Sequence, residues 1–225
     1  MLKIGHRGAK GYEPENTLIG FEKALALGVD QIELDIHLSA DGEIMVIHDE
    51  TIDRTTNGSG CVNSLTCTEL QQFRIKEQQH IPTLTEVLDL IDRKCSVNIE
   101  IKSTNLADKL VTVLEQFIIE KDWKYSHFIV SSFDWDTLEK VRSLNTKISI
   151  GVLTETNIED ALAFAKKIKA QAINPDFQLL SKDNVSAMQQ AGFQVFPWTV
   201  NETEDIKRIQ SYKVDGIISD FPDRL

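Results

Sequence analysis

Val97-Asn98-Ile99-Glu100-Ile101 alternates apolar and polar side chains, the period of a strand, and Leu106, Leu110, Val113, Leu114 and Phe117 then recur at the helical period. The same pair of signals repeats downstream. Phe128-Ile129-Val130 precedes a helix carrying Leu138 and Val141, and Ile148-Ser149-Ile150-Gly151-Val152 precedes one carrying Ile158, Leu162 and Ala165. Ala172-Ile173, Phe193-Gln194-Val195-Phe196 and Val214-Asp215-Gly216-Ile217-Ile218 continue the series, with helical periods through Val185 and Met188 and through Ile206 and Ile209 between them. Thr156 and Glu159 fit a capping box, and the Asn201…Glu204 pair opens the helix of Ile206.

Working outward to the N-terminus, Leu2 to His6 and Gln31 to Leu38 read as strands. Leu18, Phe21, Ala24 and Leu25 mark a helix between them that ends at Gly28, a good C′ residue. A further helix holds Leu84, Val87, Leu88 and Ile91 behind a Thr83…Glu86 capping box. Residues 39–81 form an excursion of short strands and loops, with Asp41-Gly42 and Asn57-Gly58 as hairpin turn signals. Eight strands with crossover helices after seven of them predict an α/β barrel, for which ~250 residues is typical and ~200 a lower bound. No G-x-G-x-x-G or P-loop follows a strand, which argues against a nucleotide-binding open sheet. Pro197 sits awkwardly near the end of the seventh strand, and the chain stops before a full eighth helix.

Composition narrows the partners. The chain has 225 residues and a net charge of −11, so a DNA or RNA partner, which needs a basic face, is not expected. The longest apolar runs, such as Ile44 to Ile47, are far too short to span a bilayer, and no signal-peptide core is present. Cys61, Cys67 and Cys95 show no metal-ligand spacing and read as free thiols, which places the protein in a reducing cytoplasm.

Chemistry in such a barrel sits at the C-terminal ends of the strands. Those ends carry His6-Arg7, Glu33 and Asp35, Glu100 and Lys102, Ser131-Ser132, Asn174, Trp198 and Ser219-Asp220, with His48 after the run Ile44 to Ile47. Glu33 and Asp35 share one strand face, and Glu100 and Lys102 repeat the pattern next door. Three carboxylates beside one lysine cannot all stay ionised in a buried mouth without compensation. A hard divalent cation, Mg²⁺ or Ca²⁺, supplies it; an ion-pair layer centred on Lys102 is the alternative. His6 and His48 suit acid and base roles near neutral pH, and the fork of Arg7 suits phosphate oxygens. His37 reads as packing near its strand end, and His80 and His127 as surface or loop residues.

His6-Arg7-Gly8, Pro14-Glu15-Asn16-Thr17, Glu33-Leu34-Asp35, Asp41-Gly42, Val46-Ile47-His48-Asp49, Arg54-Thr55-Thr56-Asn57-Gly58, Asn98-Ile99-Glu100-Ile101-Lys102 and Trp198-Thr199-Val200-Asn201 together resemble the glycerophosphodiester phosphodiesterases. The resemblance runs in order from residue 4 to about residue 222. It implies one TIM (β/α)8 barrel domain over residues 1–225 with residues 49–80 as a small insertion after strand 2. It also implies hydrolysis of glycerophosphodiesters to sn-glycerol 3-phosphate and an alcohol, by way of a cyclic 1,2-phosphate. By position, His6 and His48 match the family's acid/base pair, and Glu33, Asp35 and Glu100 its metal ligands. Arg7 and Lys102 match its phosphate-contacting cations, and Trp198 a residue near the glycerol. The partner implied is a small-molecule substrate, without nucleic acid or stable membrane insertion. The headgroup, the choice of Mg²⁺ or Ca²⁺, the histidine that acts first as base and any homo-oligomer stay open. A lysophospholipase D and a non-catalytic phosphoester-binding protein are the competing readings.

Overall fold

A computed structural model describes residues 1–76 and 78–225; Glu77, inside the stretch read as the insertion, lies outside the described residues. The strands are β1 (Leu2–Gly5), β2 (Gln31–Leu38), β3 (Ile44–Val46), β4 (Ser96–Ile101), β5 (Phe128–Ser132), β6 (Ser149–Thr154), β7 (Ala172–Pro175), β8 (Gln194–Val195) and β9 (Gly216–Ser219). The helices are α1 (Leu18–Ala26), α2 (Cys67–Leu70), α3 (Leu84–Ile91), α4 (Ala107–Glu120), α5 (Trp135–Leu144), α6 (Ile158–Ile168), α7 (Lys182–Gln190) and α8 (Thr203–Ser211). All but β3 run parallel, in the order β1-β2-β4-β5-β6-β7-β8, with β9 on the other side of β1.

The seam between β8 and β9 explains Pro197. Proline has no N–H to give across the seam, while toward β7 the hydrogen bonds continue past it, from Phe196 N to Ile173 O and from Trp198 N to Pro175 O, both at 3.1 Å. Across the seam Asp215 N donates to Val195 O at 3.2 Å, Ile218 N to Pro197 O at 2.9 Å and Val200 N to Ile218 O at 3.0 Å. Eight parallel strands thus make a nearly closed barrel, and a short 3₁₀ turn (Pro222–Arg224) stands after β9 where an eighth helix would.

Alternation along each strand sorts side chains into two environments. Ile32, Leu34, Ile36, Val97, Ile99, Ile101, Val130, Ile150 and Val152 face outward and join Leu84, Leu88, Leu110, Leu114 and Leu138 of the helices in one buried cluster. Each fully buried isoleucine or leucine there contributes roughly 1.5–3 kcal/mol. Inside the barrel, Ile4, Ile129, Ala172, Phe196 and Ile218 form a separate apolar cluster. Glu33, Asp35 and Glu100 point inward from the same strands, with Asp35 directly opposite Glu100 and Glu33 opposite Asn98 in the ladder.

The excursion has its own small core. β3 pairs antiparallel with the end of β2 (Ile36↔Val46, Leu38↔Ile44), beyond the point where β1 stops. Met45, Ile47, Ile52, Val62, Leu70, Ile75 and Ile81 pack together beneath its loops. The Asp41-Gly42 turn joins β2 to β3, with Gly42 at φ +83°.

Three local expectations are corrected. Asn57-Gly58 is not a tight turn between two strands; it lies in the longer loop closed by the single antiparallel bridge Thr51↔Cys61, where Gly58 rests against Phe73, whose Cδ1 a Cβ would meet at 2.1 Å. The cap of α6 is Asn157, not Thr156, because its Oδ1 reaches the Glu159 N–H at 2.8 Å and the Asp160 N–H at 3.3 Å. Asn201 does not cap α8, which starts after Glu202 without a side-chain cap; Asn201 is engaged with Asp220 instead. The Thr83–Glu86 capping box forms as expected.

Candidate active site

The His6-Arg7-Gly8 turn follows β1 and rests on the start of α1. The approach is close: a Cβ on Gly5 would fall 2.4 Å from Gly8 O, and one on Gly8, at φ +88°, 2.8 Å from the Gly20 backbone. Arg7 itself has φ +48°, an uncommon conformation for a non-glycine residue. That bend lets Arg7 serve the acidic cluster twice. Its backbone N–H donates to Glu33 Oε2 at 2.9 Å, and its Nε lies 3.2 Å from Asp35 Oδ2.

Glu33, Asp35 and Glu100 are buried, and one carboxylate oxygen from each lies within 4.8 Å of the others. Asn16 Nδ2 donates to Asp35 Oδ2 at 2.9 Å, while Asp35 Oδ1 is buried and accepts no hydrogen bond. Lys102 Nζ donates to Glu100 Oε1 at 2.7 Å and stands 3.8 Å from Asp35 Oδ1. Burial, then the charges of Asp35 and Glu100, push the Glu33 carboxyl well above the ordinary range. Burial and the Asp35 charge raise Glu100 to about 7, against the pull of Lys102. Three crowded oxygen donors, one of them orphaned, can hold a divalent cation that would let all three ionise together. Lys102 pairs with Glu100 and Arg7 with Asp35, so the cluster sets two cations against three carboxylates.

The two histidines are built alike. His6 Nδ1 lies 2.5 Å from Asp220 Oδ1, and His48 Nδ1 lies 2.6 Å from Asp49 Oδ1. An ionised carboxylate only accepts, so each Nδ1 carries a proton, and neither Nε2 has a hydrogen-bond partner among the described residues. Both rings line one cavity of about 90 Å³ that opens to solvent. Burial holds both imidazoles below their ordinary pKa despite the carboxylates beside them. Asp220 is steadied by Asn201, whose Nδ2 donates to Asp220 Oδ2 at 2.8 Å and whose Oδ1 accepts from the Asp220 N–H at 2.9 Å.

Of the residues picked out by the sequence, His6, Arg7, Glu33, His48, Glu100, Lys102 and Trp198 all line this cavity, and Asp35 lies immediately behind it. Trp198 Nε1 donates to Asn174 O at 2.8 Å, and its ring meets Phe133 edge-on at 5.5 Å. His37 braces the mouth rather than merely packing. Its Nε2 bonds the His48 carbonyl at 2.9 Å and its Nδ1 bonds Ser103 Oγ at 2.8 Å. Asp49, Asp220, Asn16 and Phe133 were not assigned roles from sequence. Asp49 has a signal, its adjacency to His48; Asp220 shows only as a strand-end residue, and nothing local pairs it with His6, 214 positions away.

Comparison with known proteins agrees with this geometry. Residues 6–224 match the model of the glycerophosphoryl diester phosphodiesterase family. A glycerophosphodiester phosphodiesterase of Caldanaerobacter subterraneus is 37% identical over all of this chain and 96% of its own length. One from Bacillus altitudinis is 38% identical with the same coverage. The structure of an Oleispira antarctica phosphodiesterase in complex with the product sn-glycerol-3-phosphate superposes with a TM-score of 0.90 at 26% identity, covering 98% of this chain and 93% of that one. Sequence, barrel and site agree, and the chain belongs to the glycerophosphoryl diester phosphodiesterase family, as a phosphoric diester hydrolase.

Proposed function

We propose that this enzyme hydrolyses glycerophosphodiesters to sn-glycerol 3-phosphate and an alcohol through a cyclic 1,2-phosphate, with one divalent cation, Mg²⁺ or Ca²⁺. Glu33, Asp35 and Glu100 hold the cation, His6 and His48 move protons, Arg7 and Lys102 contact the phosphate, and Trp198 borders the glycerol. The chain works as one barrel domain with residues 49–80 as its insertion. One observation carries the reading: two imidazoles, each with Nδ1 committed to a carboxylate, face a single cavity beside three buried carboxylates. The product held by the Oleispira relative supports glycerol phosphate as the ligand.

When bound, the cation supplies a Lewis acid that eases ionisation of a hydroxyl beside it. One histidine, neutral, accepts the proton of the glycerol 2-hydroxyl at Nε2 as that oxygen attacks phosphorus; the other enters the step as imidazolium, protonated at both ring nitrogens, and gives its Nε2 proton to the departing alcohol oxygen. Water then opens the ring with the two roles exchanged. Arg7 and Lys102 hold the non-bridging oxygens as charge redistributes. Attack from within the substrate gains from proximity, where effective molarities reach the order of 10⁵ M. Asn98 and Ser131, both buried, line the cavity at depth and suit a small polyol better than an acyl chain, which favours this reading over a lysophospholipase D.

Release of glycerol 3-phosphate should stop in EDTA and return with Mg²⁺ or Ca²⁺. A substrate whose 2-hydroxyl is replaced by hydrogen should bind yet turn over at least ~10²-fold more slowly. Undiminished release in EDTA overturns the cation; rapid hydrolysis of the deoxy diester overturns the internal nucleophile.

A further inference from the structure

The motif Arg54-Thr55-Thr56-Asn57-Gly58 has no part in the chemistry above, yet the fold fixes it firmly. Thr56 Oγ1 donates to Ile52 O at 2.8 Å and accepts from the Gly58 N–H at 3.0 Å. Asn57 exchanges hydrogen bonds with the Arg74 backbone, at 2.8 Å through Oδ1 and 3.0 Å through its own N–H. The loop so held aims Arg54 at two carboxylates. Arg54 Nε and Nη2 donate to Asp49 at 2.6 and 3.0 Å, and Nη2 and Nη1 donate to Glu15 at 2.7 and 3.0 Å.

Each carboxylate also serves the site, through the oxygen that it shares with Arg54 Nη2. Asp49 Oδ1 bonds His48 Nδ1, and Glu15 Oε1 accepts from Arg7 Nη1 at 2.9 Å. His48, on a loop beyond β3, and Arg7, on the turn after β1, are both tied to β2, but His48 is tied there through its carbonyl and not through its ring. From this linkage we infer that Arg54 is a positioning residue: it locks Asp49 and Glu15 together, so that the His48 imidazole and the Arg7 guanidinium share one frame. Arg54 does not line the cavity, and its side chain is 48% exposed. As a mere surface ion pair it would contribute little to stability and nothing to turnover. As the link in this chain it governs alignment, and a shift of ~1 Å at a reacting group can lower a rate ~10²-fold.

The inference rests on His48 acting in proton transfer, and the test separates the two claims. Arg54→Met should lower kcat roughly 10–100-fold, the usual effect of losing a group that orients a functional imidazole, while KM changes less than about threefold. Arg54→Lys, which cannot bridge both carboxylates with a rigid fork, should recover part of the loss. Thermal melts of both variants show whether the fold is intact. In a His48→Ala background, Arg54→Met should lower kcat by clearly less than it does in the wild-type enzyme, because one of the two groups it positions is gone. An unchanged kcat in Arg54→Met, or a full additional loss on top of His48→Ala, overturns the positioning role. Near-wild-type kcat in His48→Ala itself overturns the reading of His48 instead.

Discussion

The enzyme supports two equivalent imidazoles in two different ways. His6 is held by the barrel: its carboxylate, Asp220, follows β9, the neighbour of β1, and is steadied by the neutral amide of Asn201. His48 is held by the excursion: its carboxylate is the next residue in the chain and is steadied by the cation Arg54. The first support is enclosed, with side-chain exposures of 12% and 17% for His6 and Asp220; the second is open, at 29% and 28% for His48 and Asp49. Both aspartates stay below the ordinary carboxylate range, for different reasons. At Asp220 burial is outweighed by His6, whereas the Arg54 hydrogen bonds dominate at Asp49. A carboxylate shared with a guanidinium attracts an imidazole proton less, so Asp49 orients its ring at a smaller electrostatic gain than Asp220. Where backbone closure brings the partners together a neutral brace suffices; a loop needs charge to fix it.

The most direct way to break the comparison is to remove each ring. His6→Ala and His48→Ala should each lower kcat roughly 10²–10⁴-fold, the usual contribution of a positioned acid or base. On the roles proposed for Arg7, Lys102 and the cation at the phosphate, affinity for glycerol 3-phosphate should persist. Steady-state kinetics with product-binding calorimetry measures both quantities. Near-wild-type kcat in either variant would make that ring structural and end the equivalence.

The same contrast explains what was legible in the sequence. Barrel strands announce themselves by local period, and Glu33-Leu34-Asp35 and Glu100-Ile101-Lys102 show their shared faces without any tertiary information. His48-Asp49 is local in the same way. Asp220 was visible as a strand-end residue, but its partnership with His6 arises only when β9 meets β1. Asn201 looks like a helix cap for the same reason: a cap signal is local, and the donors that take its Oδ1 instead, the Asp220 N–H and the Ser219 hydroxyl, are not. Arg54 appeared in a recognisable motif whose purpose depends on Glu15, 39 positions away.

Metal loading presses on the comparison next. Only the His48 support reaches the acidic cluster through a continuous run of charged contacts among the described residues, Asp49–Arg54–Glu15–Arg7–Asp35. The Glu100 carboxyl, near 4.5 when unfolded, rises to about 7 in the fold, and Glu33 is also raised. Carboxyls raised by folding stabilise the protein below the unfolded value and withdraw that stabilisation as pH climbs through the folded one. The metal-free protein should therefore weaken between about pH 4.5 and about pH 7. A cation binds the deprotonated set, so it should restore more at about pH 8 than at about pH 5. At a hundredfold excess over Kd it adds about 2.7 kcal/mol, roughly 5–10 °C in Tm for a chain of this size. Thermal melts in EDTA and in Mg²⁺ at both pH values measure the difference. Equal shifts at the two would place the cation away from these carboxylates.

The smallest effect expected is also the one that isolates the neutral brace. Asn201 spends its side chain on three contacts: it donates to Asp220 Oδ2 and accepts from the Asp220 N–H and from Ser219 Oγ at 3.1 Å. Asn201→Ala removes all three but leaves the His6–Asp220 bond, the β1–β9 ladder and the His6 N–H to Ser219 O bond of 2.9 Å in place. Each lost bond costs about 0.5–1.5 kcal/mol net, less where water re-solvates the half-buried Asp220. Because barrel closure alone still sets the distance between His6 and Asp220, kcat should fall only about two- to fivefold, well short of the loss in Arg54→Met. Side-by-side kinetics of the two variants tests this ordering. A fall in Asn201→Ala matching or exceeding that of Arg54→Met would show that the barrel does not fix its own histidine, and that both supports depend equally on the residue behind the carboxylate.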